Sequence, residues 1–213
     1  MREWTRLRAV AGVPGIRLHQ ADDAMTTMRA TGVLLGLADP PLPFWAFPWA
    51  GGLAVVARLL AHPDEVAGRS VLDLASGSGL CAIVAARAGA IDVEAVDVDP
   101  IAEAAIGLNA RANGVEVRVS RRDLLDAPPP AFDVILAGDV CYEETMAARM
   151  MAWLTAAAAT GTRVLVGDPG RAYLPAGLAP LGTYRVATSR ELERAESTFA
   201  GVFTIAGPEN DVA

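Results

Sequence analysis

The sequence predicts an α/β fold, a doubly wound and mostly parallel sheet with helices on both faces. Three observations predict it. From Ser70 onward short apolar runs alternate with helix-like segments, the first run opens into a glycine-rich turn, and an acid stands in or just after each of the first three runs. Parallel strands joined through helices wind right-handed.

Composition narrows the classes. The chain has 213 residues, 53% hydrophobic and 20% charged, enough to bury one substantial core and too apolar to be disordered. A formal net charge of −7 removes any general attraction to phosphate backbones, so nucleic acid is not an expected partner. Cys81, Cys141, His19 and His62 form no metal-ligand spacing, and no metal is expected. The start "MREWTRLRAVAG" lacks an apolar core of signal-peptide length, which points to a reducing cytoplasm.

Taken in order, residues 1–39 suggest one helix around "ADDAMTTMRATG". The uncharged segment from Pro40 to Ala57, "PPLPFWAFPWAGGLAVVA", contains four prolines and a glycine pair, so it cannot be a continuous membrane helix. It reads as an aromatic-walled loop leading into a helix with Leu53, Val56 and Leu60 at helical spacing. "VLDLAS", "DVEAVDVD", "VEVRVSRRD", "FDVILAGDV" and "GTRVLVGD" read as strands. Between them, Leu80, Ile83 and Val84 share one helical face until Arg87 interrupts it, and Ile101, Ala105 and Leu108 share another. "TMAARMMAWLTAAAA" is a further helix, and "TYRVAT" and "STFAGVFTIA" are two strands with no long helix between them, suited to antiparallel pairing. One domain is expected over residues 1–213, with 1–52 as an N-terminal cap and aromatic lead-in and 53–206 as the core.

The chemistry gathers at "VLDLASGSGLCA". A strand, a Gly-rich turn and a helix start let backbone approach a nucleotide-bearing cofactor closely, and Gly77, Gly79 and Ala82 satisfy G-x-G-x-x-A. A nicotinamide-dependent oxidoreductase is therefore one candidate. Asp73, inside the first strand, argues for a cationic ligand instead, since a pyrophosphate gains nothing from a nearby carboxylate. S-adenosylmethionine carries a sulfonium and an ammonium and no phosphate. Asp97 can accept from both ribose hydroxyls, and Asp123 can accept from the adenine amino group. Each acid also has a plainer explanation: Asp97 or Asp99 as a helix cap, Asp123 as a turn residue.

With these residues in view, the chain resembles a class I, seven-strand S-adenosylmethionine-dependent methyltransferase over roughly residues 14–206. "PFWAFPWAGG", "VDVDP", "IGLNARANG", "LAGDVCYEE" and "VGDPGRAYLP" together resemble the electron transfer flavoprotein beta-subunit lysine methyltransferase family, within a group of protein lysine methyltransferases marked by D-x-x-Y, here Asp139 and Tyr142. The resemblance implies a Rossmann-like sheet ordered 3-2-1-4-5-7-6 with strand 7 antiparallel. It implies cofactor contacts from Trp49, Asp73, Ala75, Gly77, Gly79, Asp97, Val98, Asp123 and Leu124, and catalytic roles for Asp139 and Tyr142. Trp45 and Phe47 either shape a lysine channel or pack. Three departures stand out: Ala75 at the first glycine position of D-x-G-x-G-x-G, Gly15 in place of a Glu, and Leu53 in place of a Gln. The last two are expected where a partner is recognised.

The expected reaction is methyl transfer to an amine, with Asp139 orienting the nitrogen, Tyr142 fixing the strand end and the aromatic lip excluding water. The acceptor expected is a protein lysine, on an electron transfer flavoprotein beta subunit or a ribosomal protein. A small-molecule amine, a non-catalytic cofactor-binding module and the oxidoreductase remain as alternatives. Cys141 is expected to be core, on the opposite face of its strand from its neighbours.

Overall fold

The computed structural model describes residues 4–188 and 195–207. The two ends of the expected 1–213 domain lie outside those bounds. A seven-stranded sheet forms from β3 (Ser70–Leu74), β4 (Asp92–Asp97), β5 (Arg118–Arg121), β6 (Val134–Gly138), β7 (Arg163–Asp168), β8 (Ala179–Ala187) and β9 (Ser197–Thr204), ordered β5-β4-β3-β6-β7-β9-β8. The first five pair in parallel, and β9 runs antiparallel between β7 and β8. This is the order 3-2-1-4-5-7-6 with strand 7 reversed. The direction of winding changes between β3 and β6, the point where open α/β sheets leave a crevice at their carboxyl ends.

Residue pattern explains why these strands are central. Along β6, Val134 and Leu136 belong to one apolar cluster and Ile135 and Ala137 to another, and Leu165 of β7 faces opposite to Val164 and Val166. Both faces are apolar because both are covered. α2 (Ala50–Ala61), α3 (Leu80–Arg87) and α4 (Pro100–Ala112) cover one face, and α5 (Glu144–Ala159) covers the other with Met150, Met151, Trp153 and Leu154. Each large side chain buried this way contributes about 1.5–3 kcal/mol. No described helix is long and apolar enough to cross a membrane.

Two helical stripes differ from expectation. In α2 the buried stripe is Leu53, Val56 and Leu59, and Leu60, one residue before the helix ends at Ala61, is exposed. In α4 Leu108 is half-buried while Asn109 is fully buried. The expected boundary between residues 52 and 53 falls inside the first turn of α2, so that helix belongs wholly to the core.

Ahead of the core lie an antiparallel hairpin, β1 (Thr5–Ala9) and β2 (Arg17–Ala21), and α1 (Ala24–Leu35). The helix matches expectation; the hairpin is new. Two asparagines, one in α4 and one at its C-cap, tie it down. Asn113 Oδ1 accepts from the Arg17 amide at 2.9 Å and its Nδ2 donates to the Arg17 carbonyl at 2.6 Å. Asn109 Oδ1 accepts from the His19 amide while its Nδ2 donates to the Ser78 carbonyl, both at 2.8 Å. Asn109 is therefore buried because it links the cap to the glycine turn, with both its amide oxygen and its amide nitrogen partnered.

The docking of α2 is set by glycines. A Cβ at Gly167 would fall on the Gly51 carbonyl and 2.7 Å from Val55 Cγ2, and one at Gly138 would lie 2.7 Å from Gly52 Cα. Only bare backbone lets the first turn of α2 rest on the ends of β6 and β7.

Candidate active site

The first wall of the site is the turn after β3. Asp73 Oδ2 accepts from Ser76 Oγ at 2.5 Å and from the Ala82 amide at 3.0 Å. Gly79, the residue that starts α3, has no side chain to cap it, so Asp73 serves the orphan amide of the helix from the neighbouring strand. Burial pushes the Asp73 carboxyl up to about 7, with the two hydrogen bonds opposing. Gly77 and Gly79 take the left-handed conformation that the turn requires, at φ 53° and 82°. Ala75 takes it too, at φ 54°, where a Cβ is strained.

Asp97 forms the second wall. Its Oδ2 accepts from the Gly77 amide at 2.8 Å and its Oδ1 from the Asp99 amide at 3.0 Å, while Asp99 Oδ1 caps α4 by accepting from Ile101. The capping explanation thus belongs to Asp99, and Asp97 is left at the mouth, its carboxyl raised by burial. Asp123 closes a turn by accepting from the Leu125 amide, and its second oxygen accepts from Arg149 at 3.0 Å. A cavity of about 110 Å³ brings together Ala75, Asp97, Val98, Asp123 and Leu124 with Met146, Arg149 and Met150 of α5. Five expected cofactor residues therefore share one pocket. Trp49, Asp73, Gly77 and Gly79 stand outside its lining. The α5 residues were not legible in sequence, since nothing local marks which helix closes a crevice.

An aromatic lip adjoins this pocket. Trp49 donates from Nε1 to the Phe44 carbonyl at 2.8 Å, and the Phe44 ring lies 5.6 Å from Trp49 and 5.2 Å from Tyr142. Phe44, unremarked in the sequence, joins the lead-in to the D-x-x-Y loop. Tyr142 is half-exposed and acts as lip, its phenol pushed up by burial and by the Asp97 and Glu143 charges. The strand end is held by other means: the Asp139 amide donates to the Gly167 carbonyl at 2.9 Å. Trp45 is packed with Ala102 and Ala105 of α4, and Phe47 is buried in the same cluster, so both pack and neither opens a channel. Cys141 is fully buried, as expected, though it lies beyond the end of β6 instead of within a strand.

Asp139 occupies the centre. It sits just past β6 at φ 59°, a left-handed conformation that Asp tolerates better than most residues. Its Oδ2 accepts from the Gly52 amide at 2.8 Å, at the positive end of α2, and its Oδ1 accepts from Arg171 Nη1 at 2.5 Å. Burial raises its carboxyl, and the Arg171 guanidinium opposes that rise. Arg171 also approaches Asp168, whose Oδ1 accepts from the Gly170 and Arg171 amides at 2.7 Å. Trp-Ala-Gly-Gly, Gly-Asp-Pro-Gly-Arg and Asp139 are thus three parts of one construction. Gly15 and Leu53 lie elsewhere. Leu53 is buried in the apolar cluster beneath the sheet, and Gly15 sits at φ 71° in the hairpin turn, its carbonyl accepting from Arg87 at 2.8 Å. Leu53 is therefore removed from the surface, while Gly15 is exposed.

Comparison with known proteins agrees with this geometry. A family profile described as ribosomal protein L11 methyltransferase (PrmA) matches residues 57–141. A Geobacter sulfurreducens ribosomal protein L11 methyltransferase is 36% identical over 160 residues, 73% of this chain and 50% of that protein. The electron transfer flavoprotein beta subunit lysine methyltransferase of Rattus norvegicus is 47% identical over 131 residues, 61% of this chain, and the chain spans about half, 51%, of that relative's length. Among solved structures, TrmN from Thermus thermophilus matches with TM-score 0.53 and 27% identity over 70% of this chain and 47% of that one. Magnesium protoporphyrin IX methyltransferase from Synechocystis, with bound SAH, matches with TM-score 0.51 and 19% identity over 70% and 78%, a likeness of fold alone. The Xenopus laevis electron transfer flavoprotein beta subunit lysine methyltransferase is 35% identical over 187 residues, 84% of this chain and 75% of its own length. That match, over 84% of this chain and with Asp139 held between α2 and the Gly-Asp-Pro-Gly-Arg turn, places the chain in the electron transfer flavoprotein beta subunit lysine methyltransferase family.

Proposed function

We propose that the chain is an S-adenosylmethionine-dependent N-methyltransferase acting on a lysine amine of a protein, of the electron transfer flavoprotein beta subunit or ribosomal protein type. The observation that carries it is Asp139, held just past β6 by the Gly52 amide and Arg171, together with a pocket that gathers Ala75, Asp97, Val98, Asp123 and Leu124. The names of relatives that act on these two proteins support the substrate class.

The donor set fits the cofactor. Met146, Met150 and Leu124 give apolar walls for a purine, Asp123 an acceptor, and Asp97 a carboxylate for the ribose diol. Two amides of the turn and helix start that could serve a pyrophosphate are given to acids: Gly77 donates to Asp97 and Ala82 to Asp73. That is the observation against a dinucleotide, and it favours a ligand carrying positive charge. When bound, S-adenosylmethionine supplies a methyl group made electrophilic by its sulfonium.

The residues of the chain then have separable tasks. After Arg171, Gly52 and Gly51 are served, the Asp139 carboxylate keeps acceptor capacity for an incoming amine, so it can hold that amine and aim its lone pair. Phe44, Trp49 and Tyr142 exclude water around that nitrogen. Free lysine has a pKa near 10.4, so the amine must shed a proton to solvent before attack, and desolvation by the aromatic lip favours that loss. Most of the acceleration comes from alignment. A reducing cytoplasm is part of the same proposal, resting on two free, buried thiols.

Incubating the purified chain with radiolabelled S-adenosylmethionine, electron transfer flavoprotein beta subunit, a ribosomal L11-type protein and a cell extract tests the reading. Label should enter protein, and Asp139→Ala should lower turnover at least ~100-fold with cofactor affinity nearly unchanged. Label confined to small molecules, or full activity in Asp139→Ala, overturns it.

A further inference from the structure

A carboxylate beside an amine poses a problem for methyl transfer. By itself it stabilises the ammonium, which has no lone pair to attack with. The site contains an answer. Two carboxylates, the partly buried Asp139 and the buried Asp168, share one guanidinium, that of Arg171, with Nη1 at 2.5 Å from Asp139 Oδ1 and 3.4 Å from Asp168 Oδ2. Asp168 is already served by two main-chain amides at 2.7 Å, so the guanidinium leans toward Asp139. Among the described residues, Asp139 is also faced by the Gly51 and Gly52 amides from α2, the Cys81 thiol from α3 and the Cys141 thiol of its own loop. Burial holds both thiols in their neutral form, so Arg171 is the cation that balances Asp139 on this face.

Resting on the function proposed above, we propose that Arg171 is a positioning residue for methyl transfer. Its guanidinium, clamped between Asp139 and Asp168, cancels enough of the Asp139 charge for that carboxylate to orient an amine without keeping it protonated. Two carboxylates and one guanidinium leave a single net negative charge among these three groups, a weaker pull on the amine proton than an uncompensated pair of carboxylates would exert.

The test compares Arg171→Met, which keeps the chain length without charge, with Arg171→Lys, which keeps charge. Steady-state kinetics across pH use whichever of electron transfer flavoprotein beta subunit or L11-type ribosomal protein the wild type methylates. In Arg171→Met, turnover near neutral pH should fall at least ~10-fold, KM should stay level or tighten, and the acid limb of kcat should move up by about one to two pH units, so that activity returns at high pH. Arg171→Lys should keep the wild-type limb. An equal loss at every pH with raised KM assigns Arg171 a purely structural role and overturns the inference, as does an unshifted limb. If Arg171→Met does not unfold cooperatively, Arg171→Gln is read by the same criteria. A wild type that methylates neither protein nor any in an extract defeats the proposed function itself; an active wild type with an unshifted variant defeats only the role of Arg171.

Discussion

Replacing Asp73 by Asn should make the protein more stable and bind its cofactor less well. Asp73 is 2% exposed and its carboxyl is raised by burial from 3.8 to about 7. Between those values the folded chain holds a proton that the unfolded chain has released, so stability falls as pH rises through the window and the loss is complete above about 7. Roughly three units at about 1.4 kcal/mol each put the loss at about 4 kcal/mol, an order-of-magnitude figure. Asn has one amide oxygen that can still accept from Ser76 and Ala82, and it has no charge to desolvate. In urea unfolding, Asp73→Asn should therefore gain stability at about pH 8, and the gain should vanish near pH 4. A cationic cofactor favours the ionised carboxyl, so wild-type affinity for S-adenosylmethionine should climb up to ~10-fold per pH unit below about 7 and level off above it. Asp73→Asn should flatten that climb and bind more weakly at neutral pH. A variant less stable at alkaline pH, or a wild-type affinity indifferent to pH below 7, would refute the assignment of this charge.

Other consequences concern backbone. Gly167→Ala should destabilise by about 3 kcal/mol or more in urea unfolding, because its Cβ would meet the Gly51 carbonyl and Val55, and it should also slow turnover by displacing Asp139; near-wild-type stability would show that α2 docks more loosely. Ala75→Gly should raise stability by up to about 1 kcal/mol, the relief at φ 54° exceeding the entropy lost by glycine, as measured by thermal melting. Asn113→Ala should free both main-chain groups of Arg17, and hydrogen exchange at the Arg17 amide should quicken while the sheet amides stay protected.

Local pattern carried a large part of this architecture. Strands buried on both faces are rich in apolar residues, so β3, β4, β6 and β7 were legible from short windows, as were the acids in or just after the first three strands. The β1–β2 hairpin was not, because its anchor is a pair of asparagines ninety or more residues away, in α4 and at its C-cap, and no window spans that distance. Leu53 and Gly15 looked like recognition positions and are a core residue and a turn residue, since burial and backbone conformation are decided by packing around them.

The site divides the same way. Sequence by itself determined the chemical type: a glycine turn lined by acids, an aromatic lead-in, and Asp139 with Tyr142 three residues on, each a matter of residue identity and spacing. Tertiary structure alone decided what those residues work against. Arg171, Gly52 and Asp139 come from three separate stretches, and their contact exists because bare glycines let α2 settle on the ends of β6 and β7. The charge felt at Asp139 depends on distances of a few ångströms between groups remote in the chain, and only a packed core sets those distances.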